Sequence, residues 1–257
     1  MICTLTLVRY PKWFGWGGFL SMAVFRLPLY LNKKISFWKL MGSGKNGGFD
    51  KRPDFLQWAI LTVESIEPSV ANNELESCLA TSTTTNGLKS RNASFVSLRY
   101  GKWIAGWWQL FHCEVWTVLL DPIEGHGYWD GKQPFGQTPN NSHYEGRIAV
   151  LTRATIKLSK LTSFWSNVGA VANKMSGSIG LMGTYGIGEI PWVKQATFSI
   201  WESKEDMKNF AYKMKEHKTV IQKTKSEKWY SEDLFMRFIP LGSIGTLKGI
   251  DPLKRKP

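Results

Sequence analysis

The first half of the chain contains three stretches whose apolar and polar positions follow the period of a β-strand. Residues 3–10 (CTLTLVRY), 56–65 (LQWAILTVES) and 114–120 (EVWTVLL) are rich in β-branched and aromatic residues and predict strands. Residues 69–90 are polar and predict an amphipathic piece followed by a loose run. The glycine-rich segment that follows SFWKL predicts a loop.

The apolar stretch from Trp13 to Leu31 predicts a helix. Arg26 and Pro28 interrupt it, and it lacks an uninterrupted apolar run of about 18 residues, so it does not predict a membrane span. We expect a buried helix, with a helix lying on a membrane surface as the alternative. The short alternating run at the N-terminus does not follow the pattern of a signal peptide.

The second half repeats the order of the first. Strands are predicted at 147–158, 192–203 and 234–241, helices at 160–175 and 204–225, and a glycine loop at 180–191. The letters also correspond, because KLMGSGKNGGF and AILTVES in the first half parallel GLMGTYGIGE and TFSIWES in the second.

Two copies of a β-α-β-β-α-β unit account for this repetition. We therefore expect an α+β protein of two tandem ferredoxin-like units, of the dimeric α/β barrel type, with facing antiparallel sheets. The Pro- and Asn-containing segment 136–146 sets the expected boundary, which gives units at 1–140 and 141–257. Two unrelated α+β halves with chance similarity are the alternative.

Charge and cysteine content narrow the classes of function. The net charge is +13, but the Lys and Arg residues are dispersed and form no nucleic-acid-binding motif, so nucleic-acid binding is not expected. A basic surface suits an acidic protein partner or an anionic membrane. The three cysteines have neither metal-site spacing nor an even count, which favours a reducing, cytoplasmic location.

The glycine-rich segments 42–49 (GSGKNGGF) and 183–189 (GTYGIGE) match neither a P-loop nor a dinucleotide fingerprint. Their glycines either permit tight turns or leave room for a flat macrocycle or a long substrate beside the backbone. Ser43, Lys45 and Glu189 are candidate site residues from these segments.

One of the four histidines lies on an apolar helical stripe. Within 204–225, apolar residues recur at steps of three and four, and His217 follows Met214 by three and precedes Ile221 by four. A buried imidazole needs a partner, which is either a backbone carbonyl or the iron of a haem. The position alone leaves both open.

Six segments spread over both halves resemble the signature segments of the spheroidene monooxygenase family: SFWKLMGSGKNGGF, GYWDGKQPF, IAVLTRATIKLSKLTSFW, GIGEIPWVKQATFSIW, KWYSEDLFMRF and GSIGTLKGIDPL. The resemblance implies a haem b monooxygenase that uses O₂ and a ferredoxin-type electron donor to introduce a keto or hydroxyl group into an acyclic carotenoid or similar lipophilic substrate. It also implies kinship with aldoxime dehydratases, chlorite dismutase and dye-decolourising peroxidases. Residues 80–111 have no counterpart in this pattern.

The resemblance also implies roles for individual residues. The proximal ligand of the wider haem group is a helical histidine of the second unit, which implies His217 as the iron ligand. Arg153 either faces the cavity, where it polarises bound oxygen or holds a propionate, or forms a strand-end salt bridge. Glu189 is the other catalytic candidate. Further residues are expected to line the cofactor pocket, although core packing explains aromatic residues like these more often than ligand contact does: Ser43, Trp165, Trp192, Phe198 and Met214.

Two other functions remain open at this point. The first is a haem-dependent dehydratase or peroxidase, in which the substrate or peroxide reacts without a reductase. The second is a non-catalytic protein that holds haem or an apolar ligand. The expected partners of the monooxygenase are a lipophilic substrate, a ferredoxin-type donor and, as options, the inner face of a membrane and a second copy of the chain.

Overall fold

A computed structural model describes the chain except at residues 81–84, 139–142, 176, 214–219, 221, 225 and 255–257. The described strands are β1 Ile2–Arg9, β2 Ile35–Gly44, β3 Pro53–Glu64, β4 Glu114–Gly127, β5 Ile148–Ile156, β6 Leu181–Ile190, β7 Lys194–Trp201 and β8 Tyr230–Gly245. The described α-helices are α1 Gly15–Val24, α2 Arg26–Leu31, α3 Pro68–Ala80, α4 Thr85–Tyr100, α5 Lys102–Leu110, α6 Leu161–Met175 and α7 Lys204–Lys208.

The strands follow the hydrogen-bonded order β1-β3-β2-β6-β7-β5-β8-β4, and every described register is antiparallel. The predicted α+β class is therefore confirmed. The first four strands are ordered β4-β1-β3-β2 and the last four β8-β5-β7-β6, so the two halves share one strand order. The ferredoxin-like character of each half stays a prediction.

Two compact units are assembled from interleaved segments of the chain. The first comprises Met1–Met41, Phe55–Asp121 and Pro240–Arg255, and the second comprises Gly42–Asp54, Pro122–Ile239 and Lys256–Pro257. Strands β2, β3, β4 and β8 each contribute residues to both units. The expected division of the sequence at residue 140 stays a prediction.

Helices α1 and α2 lie against the sheet of the first unit through one face only. Gly17 and Gly18 are buried, and a Cβ atom on Gly18 would lie 2.2 Å from Nε1 of Trp58, so glycine permits this close approach. The opposite face carries exposed Trp13 and Trp16. The expectation of a buried helix is therefore wrong for this face. Within the part of the chain that the structure describes, no helix is long and apolar enough to span a bilayer.

The region without a counterpart in the family pattern is helical where it is described. Helices α4 and α5 occupy most of it, and α4 begins at Thr85, inside the part of 69–90 for which a loose run was predicted. Phe95 of α4 packs against Ala71 and Leu75 of α3, and this apolar contact accounts for a helix in a polar stretch. Arg99 is buried and forms ion pairs with Glu64, at 3.4 Å, and with Glu74.

The glycine-rich segment 183–189 is part of a strand rather than the predicted loop, whereas segment 42–49 is a strand only as far as Gly44 and continues as a tight turn. Strand β2 runs through Gly44, and β6 includes the whole of GTYGIGE. A Cβ atom on Gly186 would lie 2.3 Å from the carbonyl oxygen of Gly48, and one on Gly44 would lie 2.2 Å from the same oxygen. Because the chain after β2 folds back onto β2 and β6, no side chain fits at these positions.

Helix α7 begins at the predicted place. The side chain of Ser203 accepts a hydrogen bond from the backbone N–H of Asp206 at 3.0 Å and caps the helix. The helix continues as a π-helical turn over Asn209–Lys213. Met214 and His217, which follow it, lie outside the described residues.

Candidate functional site

One face of β5 is covered by helices at both of its ends. Ile148 and Val150 pack in one cluster with Trp201 of β7 and Met207 of α7. Ile156 packs in another cluster with Phe164 and Trp165 of α6. These β5 positions are separated by even numbers of residues, so their side chains share a face of the sheet. We call it the helix side.

Thr152 lies midway along the helix side and is exposed to solvent, although β5 is a central strand between β7 and β8. Its register partners, Thr197 on β7 and Phe235 on β8, are only half-buried. A central strand is normally covered where helices pack on a sheet. The exposure therefore marks a gap between the two helix clusters, and we call Thr152, Thr197 and Phe235 the Thr152 opening.

Buried charges lie beside the Thr152 opening. Arg237 is two residues beyond Phe235, and its guanidinium carbon lies 4.9 Å from the centroid of the Phe235 ring. Arg237 forms an ion pair with Glu124, which also contacts Nζ of Lys204 at 3.2 Å. The His126 ring stacks on Phe235 with the centroids 5.7 Å apart. Within the described residues, Nε of Arg237 is buried without a hydrogen-bond partner.

Arg153 lies on the other face of β5, because consecutive strand residues point in opposite directions. Its side chain is 1% exposed and forms ion pairs with Asp130 at 3.4 Å, Glu189 at 3.5 Å and Glu232. We call these four residues the Arg153 cluster. The structure thus brings the two predicted catalytic residues, Arg153 and Glu189, together.

Hydrogen bonds and a further cation organise the Arg153 cluster. Lys194 contacts Asp130 at 2.6 Å, and the indole N–H of Trp129 donates to Glu189 at 2.8 Å. Glu232 accepts the backbone N–H groups of Asp130 and Gly131 at 2.8 and 2.9 Å. Burial alone would raise the pKa of Glu232, but these N–H groups and Arg153 outweigh it and hold the pKa below its ordinary value.

The described residues that were predicted to line a cofactor pocket make separate contacts. The indole N–H of Trp165 donates to the carbonyl oxygen of Trp192 at 3.1 Å, so these two residues meet. Ser43 donates to the carbonyl oxygen of Gly186 at 2.8 Å. Phe198 stacks on Tyr185 with the centroids 6.5 Å apart. The predicted roles of these residues stay predictions, as do those of Met214 and His217.

Among the described residues, no group of three or more His, Cys, Asp or Glu is placed to hold a metal ion. His112 and His126 are exposed. Burial raises the pKa of the Cys113 thiol to about 12 and raises that of Cys3 further, so neither favours the thiolate form that binds iron. Neither of these two thiols is therefore suited to bind iron as a thiolate.

Other observations on the helix side fit haem, which the family resemblance implied. Thr152 is exposed beside the Phe235 ring, and Arg237 is a buried guanidinium whose Nε–H has no partner among the described residues, which suits a carboxylate arm. Sequence reasoning missed both features. Arg237 was detectable, since it is the one charged residue in the apolar strand segment LFMRFIPL. The exposure of Thr152 had no local signal.

A cavity of the same unit lies between β4, β8 and the segment after β4. It has a volume of about 290 Å³, and its lining includes His126, Tyr128, Phe135, Leu234 and Met236. This volume is at the lower end of the range for pockets that bind small molecules.

Comparisons with known proteins were made for the whole chain. No family model matches it. Spheroidene monooxygenase from Rhodobacter capsulatus is 33% identical over 258 residues, which cover 99% of this chain and 96% of that protein. Spheroidene monooxygenase from Cereibacter sphaeroides is 33% identical over 234 residues, which cover 91% of this chain but only 64% of that protein, so the chain spans less than two thirds of this relative.

The solved structures add information on the fold. A crystal structure of aldoxime dehydratase in complex with butyraldoxime superposes with a TM-score of 0.57 at 10% identity, over 98% of this chain and 84% of that chain. At this level of identity the likeness shows a shared fold.

Proposed function

We propose, since the chain belongs to the spheroidene monooxygenase family, that it inserts an oxygen atom from O₂ into an acyclic carotenoid or a similar lipophilic molecule. The observation that carries the proposal is the identity over almost the whole length of the Rhodobacter capsulatus relative. A monooxygenase reduces the second oxygen atom to water with two electrons and two protons. We therefore include an electron donor of the ferredoxin type, for which the net charge of +13 supplies electrostatic attraction.

Haem b is the proposed cofactor, and the helix side of β5 is its proposed place. When bound, haem supplies the redox-active iron that O₂ chemistry requires. Arg237 would pair with a propionate, and Phe235 would give an apolar contact. His217 is the proposed iron ligand, on the resemblance and the apolar stripe of its sequence-predicted helix. The exposed Thr152 and the buried Nε–H of Arg237, which has no hydrogen-bond partner among the described residues, support the placement.

Arg153 and Glu189 have a positioning role in this proposal. Because Arg153 faces away from Thr152 and ion-pairs with three carboxylates, it is suited to fix β5 and the segment that contains Asp130. This arrangement matches the salt-bridge alternative considered from the sequence.

The reaction is tested with purified protein supplied with haem b, spheroidene, reduced ferredoxin and ¹⁸O₂. We expect ¹⁸O in the carotenoid product, measured by mass spectrometry, only when the donor is present. Product formation without a donor would instead indicate a dehydratase or peroxidase type of reaction. Haem binding with no O₂ uptake in the presence of a competent donor would indicate a binding protein.

The iron ligand is tested separately by absorption spectroscopy. We expect His217→Ala to shift or abolish the Soret band of the haem-loaded protein, while the matched control His126→Ala retains it. His126 is a stringent control because its ring lies against Phe235 of the Thr152 opening. A spectrum unchanged by His217→Ala would remove His217 as the ligand, and loss of the band in His126→Ala alone would assign that role to His126.

A further inference from the structure

The helices α1, α2 and α5 of the first unit expose an unusual set of large apolar side chains. Trp13 is 86% exposed and Tyr30 is 78% exposed, and the others are at least half exposed. Monomeric proteins rarely expose contiguous apolar patches of this kind unless the patch binds something. We call the following residues the aromatic face: Trp13, Trp16, Phe19, Leu27, Tyr30 and Trp103.

The aromatic face is held together by buried rings. The ring of Phe25, between α1 and α2, lies with its centroid 5.8 Å from that of Trp103 on α5. The ring of Phe111, after α5, lies 5.3 Å from Trp16 and 5.4 Å from Phe14. These edge-to-face contacts fix α5 beside α1 and α2, so the exposed side chains form one surface.

The residues that pack α1 and α2 onto the sheet are different from the residues of the aromatic face. Gly17, Ser21, Phe25 and Leu29 recur every four residues and are the buried stripe of α1 and α2. An amphipathic helix would carry polar residues on the opposite side. Here the opposite side is apolar as well, and between residues 13 and 31 the only charged residue is Arg26. The sequence therefore keeps an apolar surface where ordinary solvent exposure would favour a polar one.

Charge identifies the kind of partner. Residues 1–49 contain seven Lys and Arg and no Asp or Glu. Lys12, Lys33 and Lys102 are exposed at the ends of these helices. Trp and Tyr flanked by Lys and Arg are typical of elements that lie at the interface between an anionic bilayer and water. A second copy of the chain fits less well, because a twofold interface would place the same basic residues against each other.

We propose that the aromatic face docks this protein on the surface of an anionic lipid bilayer, with α1 and α2 lying in the plane of the interface and the Trp side chains inserted at the level of the headgroups. The proposal does not depend on the proposed oxygenation reaction, because it rests only on the exposed residues and charges of the first unit.

The test measures binding to lipid vesicles by sedimentation. Wild-type protein is expected to bind vesicles of phosphatidylglycerol and phosphatidylcholine, and to bind less to phosphatidylcholine alone. The variant Trp13→Ser/Leu27→Ser/Tyr30→Ser is expected to lose about tenfold or more in affinity. The matched control is Leu158→Ser/Ile179→Ser, which removes two exposed apolar side chains from the second unit and should bind as the wild type does.

Insertion depth and charge supply independent readouts. Tryptophan emission should shift to the blue on binding, and lipids brominated in the acyl chain should quench it in the wild type. Lys12→Gln/Lys33→Gln should reduce the preference for the anionic vesicles. Circular dichroism of each variant checks that it is folded, which is expected because the substituted side chains are exposed.

Two results would overturn the proposal. One is the absence of vesicle binding by the wild type, or binding that the aromatic-face variant retains. The other is a wild-type dimer in solution that the aromatic-face variant converts to a monomer without any vesicle binding, because a second copy would then be the occupant.

Discussion

Thr152 and Arg153 are neighbours on β5, yet Thr152 is exposed on the helix side while Arg153 is 1% exposed among three carboxylates on the other. The alternation of side chains along a strand places an open site and a rigid ion-pair cluster back to back. Substitutions at the two positions should therefore have different effects, the first on ligand binding and the second on stability.

Filling the Thr152 opening should prevent binding of the proposed cofactor. We expect Thr152→Trp to fold, because the native side chain is exposed, and to lower the haem content of protein supplied with haem b. Thr152→Ser, which keeps the hydroxyl and adds no volume, should retain haem, as should Leu158→Trp at an exposed position elsewhere in the unit. The ratio of Soret to protein absorbance reports the outcome, and an unchanged ratio in Thr152→Trp would exclude this place for the cofactor.

Removing the cation of the Arg153 cluster should destabilise the protein. Arg153→Met leaves three carboxylates close together, and breaking a buried pair costs about 3–5 kcal/mol. We expect about 3 kcal/mol, the lower end, because Asp130 and Glu232 retain some exposure. Arg52→Met removes an exposed pair with Asp50 and should cost much less, because solvent screens this pair. Urea unfolding measures both, and equal losses would contradict the distinction.

The lowered pKa of Glu232 predicts a dependence of stability on pH. A carboxyl group whose pKa is lower in the folded state binds protons more readily when the chain unfolds. Its contribution is therefore complete above the ordinary pKa of about 4.3 and is lost as the pH falls through the folded value. The free energy of unfolding should fall more steeply on acidification in the wild type than in Glu232→Gln. Parallel curves would show that Glu232 does not make this contribution.

Because the chain approaches β6 closely, adding a single methyl group at Gly186 should lower the free energy of unfolding. In Gly186→Ala the new Cβ would lie 2.3 Å from the backbone oxygen of Gly48, which cannot rotate away as a side chain would. We expect a loss of about 2–3 kcal/mol. Gly106→Ala on α5, where a Cβ meets nothing within 4 Å, should instead gain about 0.5–1 kcal/mol. Thermal or urea denaturation of the two variants compares them, and a neutral Gly186→Ala would contradict the packing described.

Strands with regular alternation were predictable because burial follows their local pattern. β1, β5 and β7 occur where β-branched and aromatic residues alternate. The glycine segments were assigned to loops because glycine disfavours strands locally. The strand structure around Gly186 depends on Gly48, which belongs to the first glycine segment and is distant from Gly186 in the sequence. The propensity of a residue does not contain that tertiary contact.

The charged residues of the candidate site were predictable from the sequence, but the face of the sheet on which each residue lies was not. Arg153 and Glu189 were singled out from their motifs, and the structure places them 3.5 Å apart. That Arg153 faces away from the helix side depends on strand register, which a shift of one residue would reverse. The exposure of Thr152 depends on where two distant helices end, so no single segment of the sequence contained it.

The interleaved composition of the two units bears on how the nascent chain folds. The first unit needs Pro240–Arg255 as well as Met1–Met41 and Phe55–Asp121, so a ribosome must synthesise nearly all of both units before this one can be completed. Domains usually fold in order during translation. Here the earliest segments must wait for the latest, so the apolar faces of β1 and β3 stay uncovered by their last partners until almost the whole chain has been made.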